Sequence, residues 1–332
     1  MGVIITGTGS YLPEIVLTNR DMEMMVDTSD EWITTRTGIK ERRIAPKNIS
    51  SSDLGKEAIL NACNDANIVP EKIDFIICAT ITPDKFFPST SCLIEHKLGI
   101  KKKFAFDISA ACSGFLYGLE IARNLIETSG YQTGAVVAAE CMSRITDYTN
   151  RETCVLLGDG AGAVIVQRSE ENGVIGSYLS SDGGYEYLLH APAGGSKLPS
   201  SFDTIENRLN FMKMEGQPLF KIAIITMCES INNILKKYKL KKEDISLIIP
   251  HQANLRIILG VAKNMKIPVE KFFVNIEKYG NMSAACVPVA LDHANKKQLI
   301  KKGDYILTVS FGGGLTWGAN LIKWYKGDKN EK

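Results

Sequence analysis

Short apolar runs alternate with amphipathic segments along most of the chain. Four runs dominated by apolar residues lie at 75–79, 135–139, 163–167 and 306–310. Runs of this length are typical of buried strands. The segment 113–128 predicts a helix that stops at Gly130, because its apolar residues recur at helical spacing. Residues 180–210 are rich in Ser, Gly, Pro and Asp without periodicity, which predicts a long loop or lid.

Segments of the first half of the chain recur in the same order in the second half. Three pairs carry the repeat: 55–77 and 228–249, 109–112 and 283–286, and 160–166 and 316–322. Chance gives one such echo more easily than three in sequence. We therefore predict an α/β protein with two similar halves, residues 1–170 and 171–332, packed into one body.

Cysteine usage and termini bear on the cellular setting. Of the 332 residues, eight are cysteines, without a C-x-x-C pair or metal-ligand spacing: Cys63, Cys78, Cys92, Cys112, Cys141, Cys154, Cys228 and Cys286. Most lie in apolar runs, which predicts core thiols in a reducing cytoplasm and no metal site. The N-terminus has no basic region, and no apolar stretch is long enough to span a bilayer. The net charge of +2 is uninformative about partners.

Cys112 is the candidate nucleophile. It follows the strand-like run 104–108 and directly precedes the helix that begins at Ser113. A thiol at a helix N-terminus lies at the positive end of the helix dipole, which favours the thiolate. The small neighbouring residues permit a tight strand-to-helix turn, as in the nucleophile elbow of hydrolases. Because most cysteines are structural, this context alone does not decide the role of Cys112.

Two more polar residues are candidates for the same site. His251 ends an apolar strand-like run, and functional residues collect where the strands of α/β sheets end. Asn281 taken alone is typical of a turn. Cys286 stands at the position that echoes Cys112, but Pro288 follows closely, and proline is favoured in the first turn of a helix. We interpret Cys286 as structural.

Six short strings complete the motif inventory. They are DEWI with RTGI at 30–39, ACSGF at 111–115, GDGAGA at 158–163, PHQAN at 250–254, GNMSAA at 280–285 and FGGGLTWG at 311–318. In this order they resemble the β-ketoacyl-acyl-carrier-protein synthase III enzymes of the thiolase superfamily. The resemblance runs from about residue 4 to residue 324. The chain differs in Met282, where Thr is common, and in Cys286, where the family motif ends in Ser.

The resemblance implies a thiolase-like α/β fold in which the two halves form a layered αβαβα body. It implies a catalytic triad of Cys112, His251 and Asn281. The oxyanion of the acyl group is expected at the backbone amides of Cys112 and Gly313, where glycine lets the main chain approach closely. The expected reaction is a decarboxylative Claisen condensation between a short acyl-CoA, such as acetyl-CoA, and malonyl-acyl carrier protein.

The resemblance also implies binding residues. For the coenzyme A nucleotide they are Trp32, Arg36 and Arg151, with Asn254 supporting the site. Arg256, Lys221 and Lys263 are candidates for docking the acidic carrier protein by charge complementarity, and a solvated basic face is the alternative for the two lysines. Phe87 matches a position that closes the acyl tunnel from the partner subunit, and its bulk suggests a short primer. Acyl-CoA is then a substrate, no cofactor is needed, and a homodimer without nucleic-acid or membrane partners is expected.

Several alternatives remain at this point. A dinucleotide-binding dehydrogenase would use Gly7 and Gly9, but position 12 is Leu where the third glycine of G-x-G-x-x-G is required. A cysteine hydrolase would release free acid, and a thiolase would use Cys286 as a base. A catalytically silent scaffold would not need an intact triad. A related synthase with another acyl-CoA primer in secondary metabolism shares the triad and differs only in its tunnel.

Overall fold

The computed structural model describes residues 2–326 as an α/β body. Its strands are β1 (Gly2–Tyr11), β2 (Ile15–Thr18), β3 (Glu41–Ile44), β4 (Phe75–Ala79), β5 (Phe104–Ile108), β6 (Thr133–Cys141), β7 (Asp159–Ser169), β8 (Val174–Ser181), β9 (Leu189–His190), β10 (Lys213–Met214), β11 (Ile245–Pro250), β12 (Tyr305–Gly312) and β13 (Thr316–Lys323). Its helices are α1 (Asn19–Glu23), α2 (Asp30–Thr37), α3 (Ser51–Ala66), α4 (Thr90–Lys97), α5 (Gly114–Ser129), α6 (Arg151–Cys154), α7 (Phe202–Glu206), α8 (Gly216–Tyr238), α9 (Leu255–Met265), α10 (Ile276–Tyr279) and α11 (Cys286–Lys296).

The two main sheets repeat one topology. The first has the order β1-β7-β6-β4-β5, and the second, read from its far edge, has the order β8-β13-β12-β11. In both, the first two pairings are antiparallel and the third is parallel. The counterpart of β5 is reduced to a single parallel bridge between Ile248 and Phe272. The chain passes from the first sheet to the second between Ser169, where β7 ends, and Val174, where β8 begins.

Five layers are stacked in the molecule. Helix α3 packs on the outer face of the first sheet, and α8 and α9 pack on the outer face of the second. Between the sheets lie α5 and α11, whose apolar residues form one core with both inner faces. Strands β4 and β6 are buried along their whole length, which explains their nearly continuous apolar runs. The predicted αβαβα layering is confirmed.

Helix α8 has 23 residues and is the longest helix within residues 2–326. Among the described residues it is the one helix whose length and apolar composition would allow it to cross a membrane. Eight of its residues are buried, Leu219, Ala223, Thr226, Met227, Ser230, Ile231, Ile234 and Leu235. The apolar residues among these eight share a core with the second sheet and α9. The predicted loop at 180–210 is largely irregular but also holds β9 and α7.

The same turn precedes α5 and α11, and it aligns the two halves differently from the matching residues at 109–112 and 283–286. A 3₁₀ turn spans Ala111–Ser113 before α5, and another spans Ser283–Ala285 before α11. Each turn begins with a left-handed residue, Ala111 at φ 44° and Ser283 at φ 50°. Cys112 is therefore the counterpart of Ala284, and Cys286 stands two positions further on. The identical letters at 109–112 and 283–286 are not structural equivalents.

The glycines Gly7 and Gly9 lie within β1, where α3 packs on the strand, so they do not form a phosphate-binding loop. A Cβ at Gly7 would lie 2.2 Å from the carbonyl oxygen of Ala62, and one at Gly9 would lie 2.2 Å from the Ala62 nitrogen. Their role is close helix–strand packing, which removes the sequence support for a dinucleotide site.

Replacing Gly9 by alanine is expected to destabilise the fold by about 3 kcal/mol, because overpacking against backbone cannot be relieved by a side-chain shift. The free energy of unfolding in urea measures this. Gly183→Ala is the matched control, since a Cβ there meets nothing within 4 Å. Equal midpoints for the two variants would contradict the packing argument.

Candidate active site

A large cavity lies between the two halves, with a volume of about 1110 Å³. Cys112, His251 and Asn281, which come from distant parts of the sequence, all line it. Its lining is mostly apolar and includes one cluster of apolar side chains, Ile81, Met142, Ile145, Leu157, Leu189 and Met212. A site of this kind can exclude water around a reacting thioester.

Cys112 is held by the second half of the chain. It follows the carboxyl end of β5, and its carbonyl oxygen accepts a hydrogen bond of 2.8 Å from the Ser310 hydroxyl of β12. The thiol is buried, and burial raises the pKa of Cys112 to about 12, opposed by the Ser283 hydroxyl and the backbone amide of Cys112 itself. Burial thus works against the thiolate that a position at a helix N-terminus favours.

His251 directly follows β11. Its backbone amide donates to the Val309 carbonyl at 2.8 Å, and its ring meets the Phe311 ring edge-on with centroids 5.8 Å apart. Burial lowers the pKa of His251 to about 3, so the imidazole is neutral at physiological pH. A neutral imidazole offers one N–H donor, and its low basicity makes it a poor proton acceptor.

The side-chain amide of Asn281 has one possible orientation. The backbone N–H of Ser283 donates to Asn281 Oδ1 at 2.8 Å. Because a backbone N–H can bond only the amide oxygen, the Asn281 NH₂ is left as a donor. Backbone bonds to Leu156 and Gly158 hold the residue itself, at 2.8 and 3.0 Å. A neutral His251 and an oriented Asn281 amide are two donors for a developing negative charge.

The glycine-rich end of β12 lies against the nucleophile. A Cβ at Gly312 would lie 2.6 Å from the Cys112 nitrogen, so only glycine fits there. A Cβ at Gly313 would lie 3.1 Å from the Leu189 carbonyl oxygen and 3.6 Å from the Ala111 Cβ. This close approach brings the Gly313 backbone beside the Cys112 turn, where the sequence predicts the oxyanion donors.

The residues expected to bind coenzyme A lie close together, and all of them except Arg151 line the cavity. Trp32 and Arg36 lie on α2, and Arg151 begins α6; their guanidinium carbons lie 6.0 Å (Arg36) and 5.2 Å (Arg151) from the Trp32 ring centroid. Asn254 caps α9 through the Arg256 amide and donates to the Arg36 carbonyl at 3.1 Å. Asn254 therefore ties α9 to α2.

The residues expected to contact the carrier protein are only partly gathered. Arg256 and Lys221 line the cavity mouth, and Arg256 lies 5.4 Å from the Phe220 ring centroid. Lys263 lies further along α9 and does not line the cavity. Phe87 is 83% exposed in the single chain and does not line the cavity either. The role of Phe87 in an acyl pocket thus depends on a partner subunit and stays a prediction.

Two residues near the thiol had no role assigned from the sequence. Ser283 contacts Cys112, their Oγ and Sγ atoms being 3.6 Å apart. Glu140 is fully buried and completes the apolar run 135–139. In the sequence, the signal for Glu140 is a carboxylate that directly follows a predicted buried strand, a place where functional residues collect. Cys286 is a packed core thiol that accepts a bond from the Met282 amide at 3.1 Å.

Comparisons with known proteins agree with this site. The model of the 3-oxoacyl-[acyl-carrier-protein] synthase III family matches residues 106–183, and the model of its C-terminal part matches residues 235–324. A beta-ketoacyl-[acyl-carrier-protein] synthase III of Caldanaerobacter subterraneus is 54% identical over 323 residues, 97% of this chain and 98% of the relative. The crystal structure of the Aquifex aeolicus 3-oxoacyl-[acyl-carrier-protein] synthase III has a TM-score of 0.91 and 49% identity, covering 97% of this chain and 100% of that chain.

A layered body of two repeated halves with a buried thiol between them defines the thiolase fold and the class of condensing acyltransferases. Within that class, the chain belongs to the 3-oxoacyl-[acyl-carrier-protein] synthase III family.

Proposed function

We propose that the enzyme starts fatty acid synthesis by condensing a short acyl-CoA, of which acetyl-CoA is the expected primer, with malonyl-acyl carrier protein. The observation that carries the proposal is the convergence of Cys112, His251 and Asn281 on one cavity whose mouth holds Trp32 and Arg36. The family of the chain and the identity with its relatives support the reaction class.

In the first half-reaction the sulfur of Cys112 attacks the acyl-CoA thioester. The S–acyl bond to Cys112 forms, the bond to the coenzyme A sulfur breaks, and coenzyme A leaves as a thiol, so the proton that it gains balances the proton that Cys112 loses. The tetrahedral oxyanion accepts hydrogen bonds from the amides of Cys112 and Gly313. The apolar wall then covers the short acyl chain and keeps water from the acyl-enzyme.

In the second half-reaction malonyl-acyl carrier protein replaces coenzyme A. Loss of carbon dioxide leaves an enolate, whose oxygen is stabilised by the neutral His251 N–H and the Asn281 NH₂. The enolate carbon attacks the Cys112 thioester, and the ketoacyl product leaves on the carrier protein. His251 acts as a donor throughout, which is consistent with its lowered pKa of about 3.

The coenzyme A nucleotide is proposed to bind by stacking on Trp32 and by phosphate pairing with Arg36 and Arg151. Asn254 holds α2, which carries Trp32 and Arg36, against α9.

Arg151→Ala is expected to raise the KM for acetyl-CoA about tenfold, because the variant loses one charged contact with the nucleotide. Turnover of acetyl-pantetheine, which lacks the nucleotide, should not change. Arg20→Ala, an exposed arginine of α1, is the matched control. An equal loss with both substrates would contradict a nucleotide contact.

The partners follow from the same proposal. Arg256 and Lys221 at the cavity mouth, with Lys263 on α9, would dock the acidic carrier protein by charge complementarity. The exposed ring of Phe87 would be covered in a homodimer and would close the acyl pocket of the partner. Acyl-CoA is a substrate, no cofactor takes part, and the enzyme works in the cytoplasm.

A second candidate is a synthase that uses another primer in secondary metabolism. It is favoured by a solved structure with 31% identity and a TM-score of 0.91, covering 98% of this chain and 97% of that chain, which is the priming β-ketosynthase of a polyketide biosynthetic pathway. The two candidates share every catalytic group and differ in which acyl chain the cavity accepts.

The experiment that tests the proposal has two readouts. The purified protein is weighed intact after incubation with acetyl-CoA and longer or branched acyl-CoA thioesters, and malonyl-carrier protein is then added to detect the ketoacyl product. An acetyl-sized adduct that turns into acetoacetyl-carrier protein supports the proposal. Preference for longer primers supports the second candidate, release of free acid indicates a hydrolase, and no adduct from any thioester rejects condensation.

A further inference from the structure

A fully buried side-chain amide directly follows His251. Gln252 does not line the cavity, so it is not placed to contact a substrate there. Its Nε2 donates to the carbonyl oxygens of Pro250, at 2.9 Å, and Phe273, at 3.1 Å. Its Oε1 accepts from the backbone amide of Asn275 at 3.1 Å. The three bonds agree on one orientation of the amide, because carbonyls need a donor and a backbone N–H needs an acceptor.

The proline at the end of β11 explains why this amide is needed. On the side away from β12, the Phe273 amide donates to the Ile248 carbonyl at 2.9 Å, as in a parallel ladder. The next bond of such a ladder would run from the N–H of residue 250 to the Phe273 carbonyl, but Pro250 has no N–H. Gln252 Nε2 supplies the missing donor. The Gln252 amide is thus inserted between Pro250 and the segment 273–275, and it bonds both.

The ring of His251 is not fixed through its second nitrogen. Its Nδ1 is buried and has no hydrogen-bond partner within residues 2–326. A catalytic histidine is often oriented by a bond at the ring nitrogen that does not react. For His251 the direction of the ring depends instead on its backbone and on its packing against Phe311.

The backbone of His251 is held from two sides. Its amide donates to the Val309 carbonyl of β12 at 2.8 Å. On the opposite side its neighbours Pro250 and Gln252 are tied to the segment 273–275. Catalytic groups must be held to within about 0.5 Å of the productive geometry. Loss of the Gln252 amide would release one of the two sides and let the ring move.

We propose that Gln252 is a positioning residue for enolate formation: its amide replaces the bond that Pro250 cannot make and thereby holds the His251 ring N–H toward the enolate oxygen. The inference rests on the proposed role of His251 as a donor to the enolate. Gln252 acts on one half-reaction, because acylation does not use the His251 donor.

Gln252→Leu removes the amide at nearly constant side-chain size. The variant is expected to decarboxylate malonyl-carrier protein about tenfold more slowly, since a small misplacement of a catalytic group is costly in rate. Acyl-enzyme formation from acetyl-CoA should stay within about twofold of wild type. A general loss of folded protein would instead lower both rates alike. Release of labelled carbon dioxide and intact mass, measured on the same samples, give the two rates.

A double-mutant cycle with His251→Ala is the readout that a merely structural role would not move. If Gln252 acts through the His251 ring, Gln252→Leu should change decarboxylation by less than about twofold when His251 is already alanine. Equal losses in both backgrounds would mean that Gln252 acts on the fold or on another group, and would overturn the inference.

Asn320→Leu is the matched control, because Asn320 is another fully buried side-chain amide away from the cavity. It donates to the Leu116 carbonyl and the Ser177 hydroxyl, at 3.1 and 2.6 Å, and accepts from the Thr308 hydroxyl at 2.9 Å. Its loss also leaves buried polar groups without their partner, so the free energy of unfolding should fall in both variants. The ratio of decarboxylation to acylation should stay that of wild type. An equal change of this ratio in both variants would overturn the inference.

Gln252→Glu keeps the inference testable if the leucine variant does not fold. A glutamate oxygen can still accept from the Asn275 amide, but a protonated carboxyl has one donor for two carbonyls. Decarboxylation should fall about threefold, the cost of one hydrogen bond, and this loss should be absent in the His251→Ala background.

The outcomes separate the inference from the function. If wild-type protein forms no acyl-enzyme, or releases no carbon dioxide from malonyl-carrier protein, the proposed function fails. If wild type performs both steps and the Gln252 variants decarboxylate within about twofold of it, the inference is wrong and the function stands. Equal slowing of both half-reactions would also overturn the inference. A loss of decarboxylation confined to proteins with an intact His251 supports it.

Discussion

Cys112→Ala is expected to form no acyl-enzyme and to lose ketoacyl synthesis by at least about 10³-fold, because no other described cysteine lines the cavity. Decarboxylation of malonyl-carrier protein should persist, since the enolate donors are His251 and Asn281. Intact mass measures the first effect and release of labelled carbon dioxide measures the second.

Cys286→Ala serves as the matched control for this experiment. It removes a buried thiol from the first position of α11, directly after the equivalent turn in the second half, and acylation should survive. A Cys112→Ala protein that still gains an acyl group, or a Cys286→Ala protein that gains none, would move the nucleophile elsewhere. The second outcome would also reopen the thiolase interpretation.

Asn281→Ala and His251→Ala should show the opposite result to Cys112→Ala: decarboxylation should slow while acyl-enzyme formation persists. Loss of one oriented donor to the enolate is expected to slow malonyl decarboxylation about 10²–10³-fold. Acyl-enzyme formation should fall by less than about threefold, because neither residue supplies the donors for the acyl oxyanion. Single-turnover mass measurements and labelled carbon dioxide release give the two rates for the same samples.

His293→Ala controls for the loss of a partly buried imidazole. His293 lies on α11, where Nδ1 contacts the Asn275 amide, and it does not line the cavity. Its decarboxylation rate should match that of wild type. If Asn281→Ala slowed both half-reactions equally, the amide would be acting on the nucleophile or on the fold, and the assignment to the enolate would fail.

Patterns that depend on burial were readable from the sequence. The run 75–79 was predicted as a strand, and β4 occupies those residues. The helix predicted at 113–128 corresponds to α5, which ends before Gly130 in the left-handed conformation. Strand and helix periodicities report on which side chains face a core, so they survive without knowledge of tertiary contacts.

Properties that depend on the surroundings of a side chain could not be predicted from the sequence. The position of Cys112 before a helix predicted a thiolate, but the pKa depends on how much water the fold removes. The segments 109–112 and 283–286 have identical residue types, but they are not equivalent positions in the structure. The equivalent positions are set by the left-handed backbone at Ala111 and Ser283. Glu140 was passed over because a strand pattern does not show what a carboxyl faces across the sheet.

The middle layer has a consequence for how such a protein can change over evolutionary time. Helices α5 and α11 share one core with both sheets, so neither copy has a complete interior of its own. Neither half can therefore lose its helix without breaking the shared core, and the two halves differ in chemistry at the buried turns that precede these helices. At one turn stands a thiol, Cys112, and at the matching position of the other stands Ala284. The shared interior thus ties the two halves together while a single residue, Cys112 or Ala284, distinguishes the chemistry of their turns.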